Sequence, residues 1–279
     1  MRVTVFGATG LLGKALMHER DGDELLGLSS KDADIRDERA VNQAIDRTRP
    51  DWIVLAAAYT DVDGCESDRE LAFDVNCRGA VNVARAAKLH SARLLFISTD
   101  YVFDGRGTAP YETDAPRAPR SVYGKSKAEA EVQLLEIMPQ CCIVRTAWLF
   151  GLGGKCFPDT ILKLAAIRSE IDVVNDQRGS PTFARDLARA VMLLCRKNAT
   201  GIIHATNRGS CTWFEFAQEI VSLAGLPTIV RPTTSDKFVR PAERPKYSVL
   251  SPASLGKNGI TMPSWQDALA DYLEERRTA

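Results

Sequence analysis

The stretch SVYGKSKAEAE, residues 121 to 131, sets Tyr123 and Lys127 four residues apart in what reads as the first turns of a helix. Residues at i and i+4 share one helix face. A free tyrosine, with a pKa of ~10, is a sluggish acid-base group at neutral pH. A neighbouring ammonium favours phenolate over phenol and would let Tyr123 trade a proton with a substrate oxygen. The spacing alone is common, and a half-buried Tyr beside a solvated Lys would give the same pattern. Thr99, in STDYVFDG (98 to 105), adds a hydroxyl that could bond the same substrate oxygen as Tyr123. Two donors on a carbonyl suit a reaction in which that carbonyl gains negative charge.

A second constellation lies at the N-terminus, where GATGLLG places glycines at 7, 10 and 13 between an apolar run, RVTVF, and a helical stretch, GKALMHER. Gly7 serves the tight turn, and the N–H groups of Gly10, Leu11 and Leu12 could meet a pyrophosphate at the positive end of a helix. A tight strand-to-helix turn with no ligand would also use glycines. The strand-to-helix context favours a dinucleotide, with the ribose hydroxyl between Tyr123 and Lys127. The second strand ends in Leu28-Ser29-Ser30-Lys31 rather than in a carboxylate. Ser29 and Lys31 would welcome a 2′-phosphate, so NADPH is expected over NADH, although Asp32 stands nearby. Asp34 and Ile35 could flank the adenine, or could equally lead into the next helix.

These groups need a scaffold. ELLGLS (24 to 29), WIVLAAA (52 to 58), RLLFIS (93 to 98) and CCIVRTAWLF (141 to 150) read as strands apolar on both faces. They alternate with amphipathic segments at 38 to 49, within 68 to 90, and from 121 onward. That rhythm predicts an α/β fold, a doubly wound parallel sheet of Rossmann type, over residues 1 to 150. After Gly151 the rhythm loosens, with a helix near 157 to 169, a strand near 171 to 174, and helices at 184 to 196 and 213 to 224. Residues 151 to 279 are expected to form mainly a smaller, discontinuous substrate-binding lobe, the helix and strand near 177 to 206 rejoining the first domain. The stretch PTIVRPTTSDKFVRPAERP reads as loops, and SWQDALADYLEERR as a closing helix.

Lysine plus arginine, 36, balances aspartate plus glutamate, 36, so no global basic field favours nucleic acid or an anionic membrane. No apolar run approaches the ~18 residues of a membrane span, and the chain enters a strand at once, which leaves no room for a signal peptide; a cytoplasmic protein is expected. Seven cysteines without CxxC spacing, and three histidines, give no metal-ligand pattern and read as reduced packing thiols.

Taken in order, GATGLLG, DIRD, AAAYTDVDGCE, STDYVFDG, YGKSKAEAE, RTAWLFG, DQRGSPT and RPKYS resemble the extended short-chain dehydrogenase/reductases, and within them the dTDP-4-dehydrorhamnose reductases. The likeness runs from residue 1 to about residue 275. The glycine turn and YxxxK mark only the superfamily, whereas STDYVFDG, RTAWLFG and DQRGSPT are more specific. The resemblance implies Tyr123 as proton donor, Lys127 as its pKa modifier and nicotinamide-ribose ligand, and Thr99 as the tuning hydroxyl. It places Ala58, Tyr59 and Thr60 against the cofactor, and Val62, Thr99, Asp100, Tyr123 and Trp148 on the sugar side. Trp148 could stack on a pyranose ring or be a core aromatic.

The implied reaction is NADPH-dependent reduction of a nucleotide-linked 4-keto-6-deoxysugar, dTDP-4-dehydro-L-rhamnose to dTDP-L-rhamnose, with a homodimer as one option. A dehydratase would need an Asp-Glu pair beside the threonine, and Tyr101 stands where the glutamate would be. Another reductase or epimerase of the superfamily, or a non-catalytic dinucleotide-binding regulator like the β subunit of methionine adenosyltransferase, would share the glycine turn and YxxxK. Cys156 stands where the family usually has asparagine, which puts the nucleotide contacts nearby in doubt. Asn76, in DVNCRGAVN, matches a family asparagine whose role, proton relay or helix kink, the sequence leaves open.

Overall fold

Five short apolar segments form β1 (Arg2–Phe6), β2 (Glu24–Leu28), β3 (Trp52–Leu55), β4 (Arg93–Thr99) and β5 (Cys142–Thr146). With the strand Gly201–His204 they build one six-stranded parallel sheet in the computed structural model, which describes residues 1–19 and 21–278. The spatial order is Gly201–His204, β5, β4, β3, β1, β2. Chain direction reverses its march across the sheet between β1 and β3, the place where open α/β sheets leave a crevice at the strands' carboxyl ends.

Successive residues of each strand serve opposite faces. Ile53 and Leu55 join Phe6, Leu94, Phe96 and Ile143 in one core, beneath α2 (Glu38–Thr48), α5 (Gly79–Leu89) and α6 (Val122–Ile137). Trp52 and Val54 join Val3, Val5, Leu95 and Val144 in the other, beneath α1 (Leu11–His18) and the helix Ala184–Arg196. Burial on both faces is why these strands read as continuous apolar runs. Local signals set the helix starts: the Asp37 carboxylate accepts from Arg39 N and Ala40 N to open α2, and the Ser121 hydroxyl accepts from Gly124 N to open α6.

The remaining chain packs around Phe150, Phe183, Phe216, Trp265 and Tyr272. Its helices include Phe157–Ala165, Trp213–Leu223 and Trp265–Thr278. All seven cysteines are free and buried. No helix of the described residues is long and apolar enough to cross a membrane.

Three features depart from the sequence reading. The long helix expected within 68 to 90 is α4 (Arg69–Phe73), a π-helical turn at Asp74–Arg78 and then α5. One extra residue in a turn is invisible to a 3.6-residue pattern. The strand expected through Phe150 stops at Thr146, because Trp148 adopts φ 46°, a left-handed conformation uncommon for a bulky residue, and turns the chain out of the sheet. The proline-rich stretch contains a strand, Ile229–Thr233, parallel to Glu170–Val174. Pro232 is tolerated there because that two-stranded pair leaves each strand an edge. Arg20 and Ala279, the last residues of the stretches read as the first helix and as the lobe, lie outside the described residues.

Candidate active site and cofactor cleft

The glycine turn closes β1 onto α1 by steric necessity. Gly7 has φ 88°, and a Cβ there would meet Ala57 N at 2.5 Å; a Cβ on Gly13 would run into the Gly7 carbonyl oxygen. Over Gly10, by contrast, a Cβ would meet only Gly7 O at 3.5 Å, so this side of the turn is open. Gly10 begins α1 without a side-chain cap, and no acidic residue stands in the first turn. The Leu11 and Leu12 amides therefore lie in an uncapped first turn at the positive helix end, although the Leu12 side chain itself is buried. Lys14 crosses to the lobe, donating to Gly153 O at 2.5 Å. A pyrophosphate fits this cradle.

At the end of β2 the arrangement is less simple. The Ser29 hydroxyl and amide both donate to Asp32 Oδ2, at 2.6 and 2.8 Å, and these bonds hold the Asp32 carboxyl below its ordinary range. Ser29 is thus engaged by a carboxylate, and Lys31 is the exposed cation beside it. Asp34 is clasped by Arg36 at 2.6 Å. Ile35 is core rather than surface: it packs beneath Gly79, where a Cβ would meet its Cγ1 at 2.7 Å.

Ala58 and Tyr59 are half-buried and Thr60 exposed at the end of β3. The Tyr59 backbone is fixed by Asn76, whose Oδ1 accepts from Tyr59 N at 2.8 Å while Nδ2 donates to Tyr59 O at 3.1 Å and Ser126 Oγ at 3.0 Å. The π-helical turn therefore aims Asn76 at the strand end and ties it to the helix that carries Tyr123. Val62 starts α3 (Val62–Ser67), and Glu66 of that helix accepts from Val122 N at 2.7 Å.

Thr99 ends β4 opposite Thr146 of β5, and Tyr123 and Lys127 project from α6. Thr99 lies in hydrogen-bonding contact with the Tyr123 phenol and lowers its pKa, but burial dominates and pushes that phenol up, helped by Asp100 and Cys65. Lys127, 2% exposed, donates to Ile97 O at 2.6 Å and sits 3.9 Å from the Phe96 ring centroid. Burial brings its pKa down to about 7, against the pull of Glu131. Tyr123 is accordingly a phenol, the proton-bearing form a reduction needs.

One turn beyond Lys127, Glu131 is fully buried and paired with Arg145, itself 1% exposed, at 2.6 Å. Ser98 donates to the same carboxylate at 2.6 Å and Arg117 at 2.8 Å. This pair joins α6 to β4 and β5. Acidic and basic residues in YGKSKAEAE and RTAWLFG were the available signal for it, but nothing in the spacing paired them.

Asp100 and Trp148, expected on the sugar side, are held by contacts within the protein. Asp100 is 2% exposed, with its Oδ1 3.0 Å from Thr99 Oγ1. Trp148 is stacked on Trp213, ring centroids 3.5 Å apart, and Gly179 closes on the same indole so tightly that a Cβ there would lie 2.6 Å from Nε1. Trp213, missed in the sequence, lines a cavity of about 950 Å³ together with Phe157, Phe238 and the cations Arg106, Arg120 and Arg244. The cavity also touches Ser121, which caps α6, and Tyr101, whose ring meets Tyr123 edge-on at 5.6 Å. Arg244 is held by Asp63 at 2.9 Å, a residue adjacent to Val62. Cys156 turns into the lobe core, its sulfur 3.5 Å from Tyr272 Oη.

The open glycine turn, the Thr99, Tyr123 and Lys127 side chains, and a cavity lined by arginines and carboxylates lie toward one end of the sheet. A family described as the RmlD substrate binding domain matches residues 1–278. A dTDP-4-dehydrorhamnose reductase of Streptomyces griseus is 41% identical over 280 residues, 97% of this chain and 92% of that one. The chain belongs to the dTDP-4-dehydrorhamnose reductase family. That membership makes it an NAD(P)H-dependent oxidoreductase of the short-chain dehydrogenase/reductase type. A crystal structure of a dTDP-4-dehydrorhamnose reductase from Bacillus anthracis in complex with NADP superposes with a TM-score of 0.95 at 40% identity, covering 98% of this chain and 99% of that one. The spore coat polysaccharide biosynthesis protein SpsK of Bacillus subtilis is 40% identical over 280 residues, 100% of this chain and 99% of that protein.

Proposed function

We propose that this protein reduces the 4-keto group of a dTDP-linked 6-deoxysugar, dTDP-4-dehydro-L-rhamnose foremost, with Tyr123 as proton donor. The observation that carries the reading is the convergence of Thr99, at the carboxyl end of β4, and Tyr123, near the start of α6, next to a cavity lined by Arg106, Arg120 and Arg244. The glycine turn would hold NADPH, which would supply the hydride when bound.

Gly10, Leu11 and Leu12 would offer backbone N–H groups to its pyrophosphate, and Lys127 would bond its ribose. Tyr123 holds the proton that a developing C4 alkoxide takes, and Thr99 helps orient that phenol. Arg244, Arg120 and Arg106 would face the substrate's diphosphate, because planar guanidinium groups match phosphate oxygens. Phe157, Trp213 and Phe238 supply apolar walls for its base or sugar. The binding of B. anthracis reductase to NADP supports NADPH as partner here.

Incubating the protein with NADPH and dTDP-4-dehydro-L-rhamnose, while following NADPH absorbance and identifying the product, tests the reading. Loss of absorbance with formation of dTDP-L-rhamnose is expected. Binding of both ligands with no turnover would replace the enzyme by a regulator.

A further inference from the structure

Thr99 Oγ1 has one proton and two lone pairs, and the structure surrounds it with three polar groups. The Tyr101 amide donates to it at 3.2 Å, which occupies one lone pair. Asp100 Oδ1 lies 3.0 Å away, and the Tyr123 phenol is the third neighbour. The direction of every bond in this chain then depends on Asp100. If Asp100 is a carboxylate, it only accepts, so it takes the Thr99 proton; the remaining Thr99 lone pair draws the Tyr123 hydroxyl inward, away from substrate. If Asp100 is a carboxylic acid, it donates to Thr99, both lone pairs are filled, and the Thr99 proton turns to the Tyr123 oxygen. The Tyr123 proton is then left pointing out.

We propose that protonated Asp100 sets the polarity of a hydrogen-bond chain running Asp100 to Thr99 to Tyr123 to the substrate carbonyl, and is thereby a positioning residue for the proton donor. The proposal rests on Tyr123 being that donor. Two observations support the neutral form. Asp100 is 2% exposed, and its second oxygen, Oδ2, receives no well-formed hydrogen bond among the described residues, the Ser248 hydroxyl lying near the carboxyl without making one, a costly situation for a carboxylate. Burial also moves its pKa up to about 6, against the nearby Ser248 and Thr99 hydroxyls and the Asp100 and Tyr101 amides, so the acid form predominates below that pH and the carboxylate above it. An ionised Asp100 would in addition raise the Tyr123 pKa and weaken it as an acid. The other titratable groups facing this cluster are Tyr101 and, against Tyr123, Cys65; Arg244 and Asp63 act on Tyr101 from the lobe side and from α3.

Infrared difference spectra of the resting protein between about pH 5 and about pH 8 provide the test, since a buried carboxylic acid and a tyrosine C–O group each give a distinct band. The expected result is a protonated-carboxyl band that titrates near 6 and is absent in Asp100→Asn. A Tyr123 band, assigned by its loss in Tyr123→Phe, should shift with the same midpoint and stay fixed in Asp100→Asn. If Asp100→Asn does not fold, the shared midpoint in the unaltered protein decides alone. In turnover, kcat should fall about tenfold per pH unit above that midpoint, and Asp100→Asn, whose amide still donates to Thr99, should lose this limb. A Tyr123 band indifferent to the carboxyl titration would overturn the proposal, as would an unchanged limb in Asp100→Asn with only the sugar-nucleotide KM raised. Because the spectra need no substrate, failure to reduce any 4-ketosugar would count against the proposed reaction alone.

Discussion

The two walls of the cleft are built by different means. On the side proposed for the cofactor, shape comes from backbone: Gly7 and Gly13 allow a turn that no side chain could enter, and the uncapped start of α1 offers amides rather than charges. On the side proposed for the substrate, it comes from side chains far apart in sequence: Trp148 meets Trp213, Asp63 holds Arg244, and Arg120 pairs with Glu243. Tyr123 stands between the two walls. A backbone site tolerates few substitutions but is read locally; a side-chain site can be altered piece by piece, and that difference can be tested.

The largest effect is expected at the junction. Tyr123→Phe should lower kcat by ~10²–10⁴ and leave NADPH affinity within a few-fold, since a proton donor contributes to the transition state far more than to ground-state binding. Steady-state kinetics beside a fluorescence titration of NADPH would check this, and full turnover by the variant would remove Tyr123 from the reaction.

Next comes the buried pair beneath Lys127. Arg145→Met removes the fully buried partner of Glu131 and leaves the carboxylate only Ser98 and the partly exposed Arg117, so stability should drop by about 3 kcal/mol in urea unfolding. Replacing both members by apolar residues should recover much of that loss, which a single variant cannot do.

On the substrate wall, Trp213→Ala should raise the sugar-nucleotide KM about tenfold while sparing NADPH binding, because Trp213 lines the cavity. Trp148→Ala should instead act chiefly on melting temperature, its indole being packed between Trp213 and Gly179. The reverse assignment of effects would put Trp148 on the sugar.

The smallest effect belongs to the cofactor wall's edge. Asp32→Asn should shift preference a few-fold further toward NADPH over NADH, since it removes a carboxylate bound to Ser29 at the β2 end. Unchanged kinetics with both cofactors would show that this corner does not read the 2′ position.

The same contrast explains what could be read from the chain. β1, GATGLLG and α1 are contiguous, and their turn chemistry and periodicity lie within one short run, Arg2 to His18. The Tyr123 and Lys127 pair was legible for the same reason, one helical turn joining them. Ile35 was ambiguous because an apolar residue after a strand suits an adenine wall or a core equally well; the structure shows its side chain packed under Gly79. Trp213 and Arg244 were out of reach, since they come to the cleft through folding of the lobe. The left-handed Trp148 carried no local signal, as glycine or asparagine would ordinarily mark such a turn.

The most direct test follows the hydride. With NADPH deuterated at the transferring position of the nicotinamide and dTDP-4-dehydro-L-rhamnose as acceptor, mass spectrometry and proton NMR of the product should find a single deuterium, located at sugar C4, and Tyr123→Phe should slow its appearance by ~10²–10⁴. A sugar product carrying no deuterium, formed while both ligands are bound, would contradict the account.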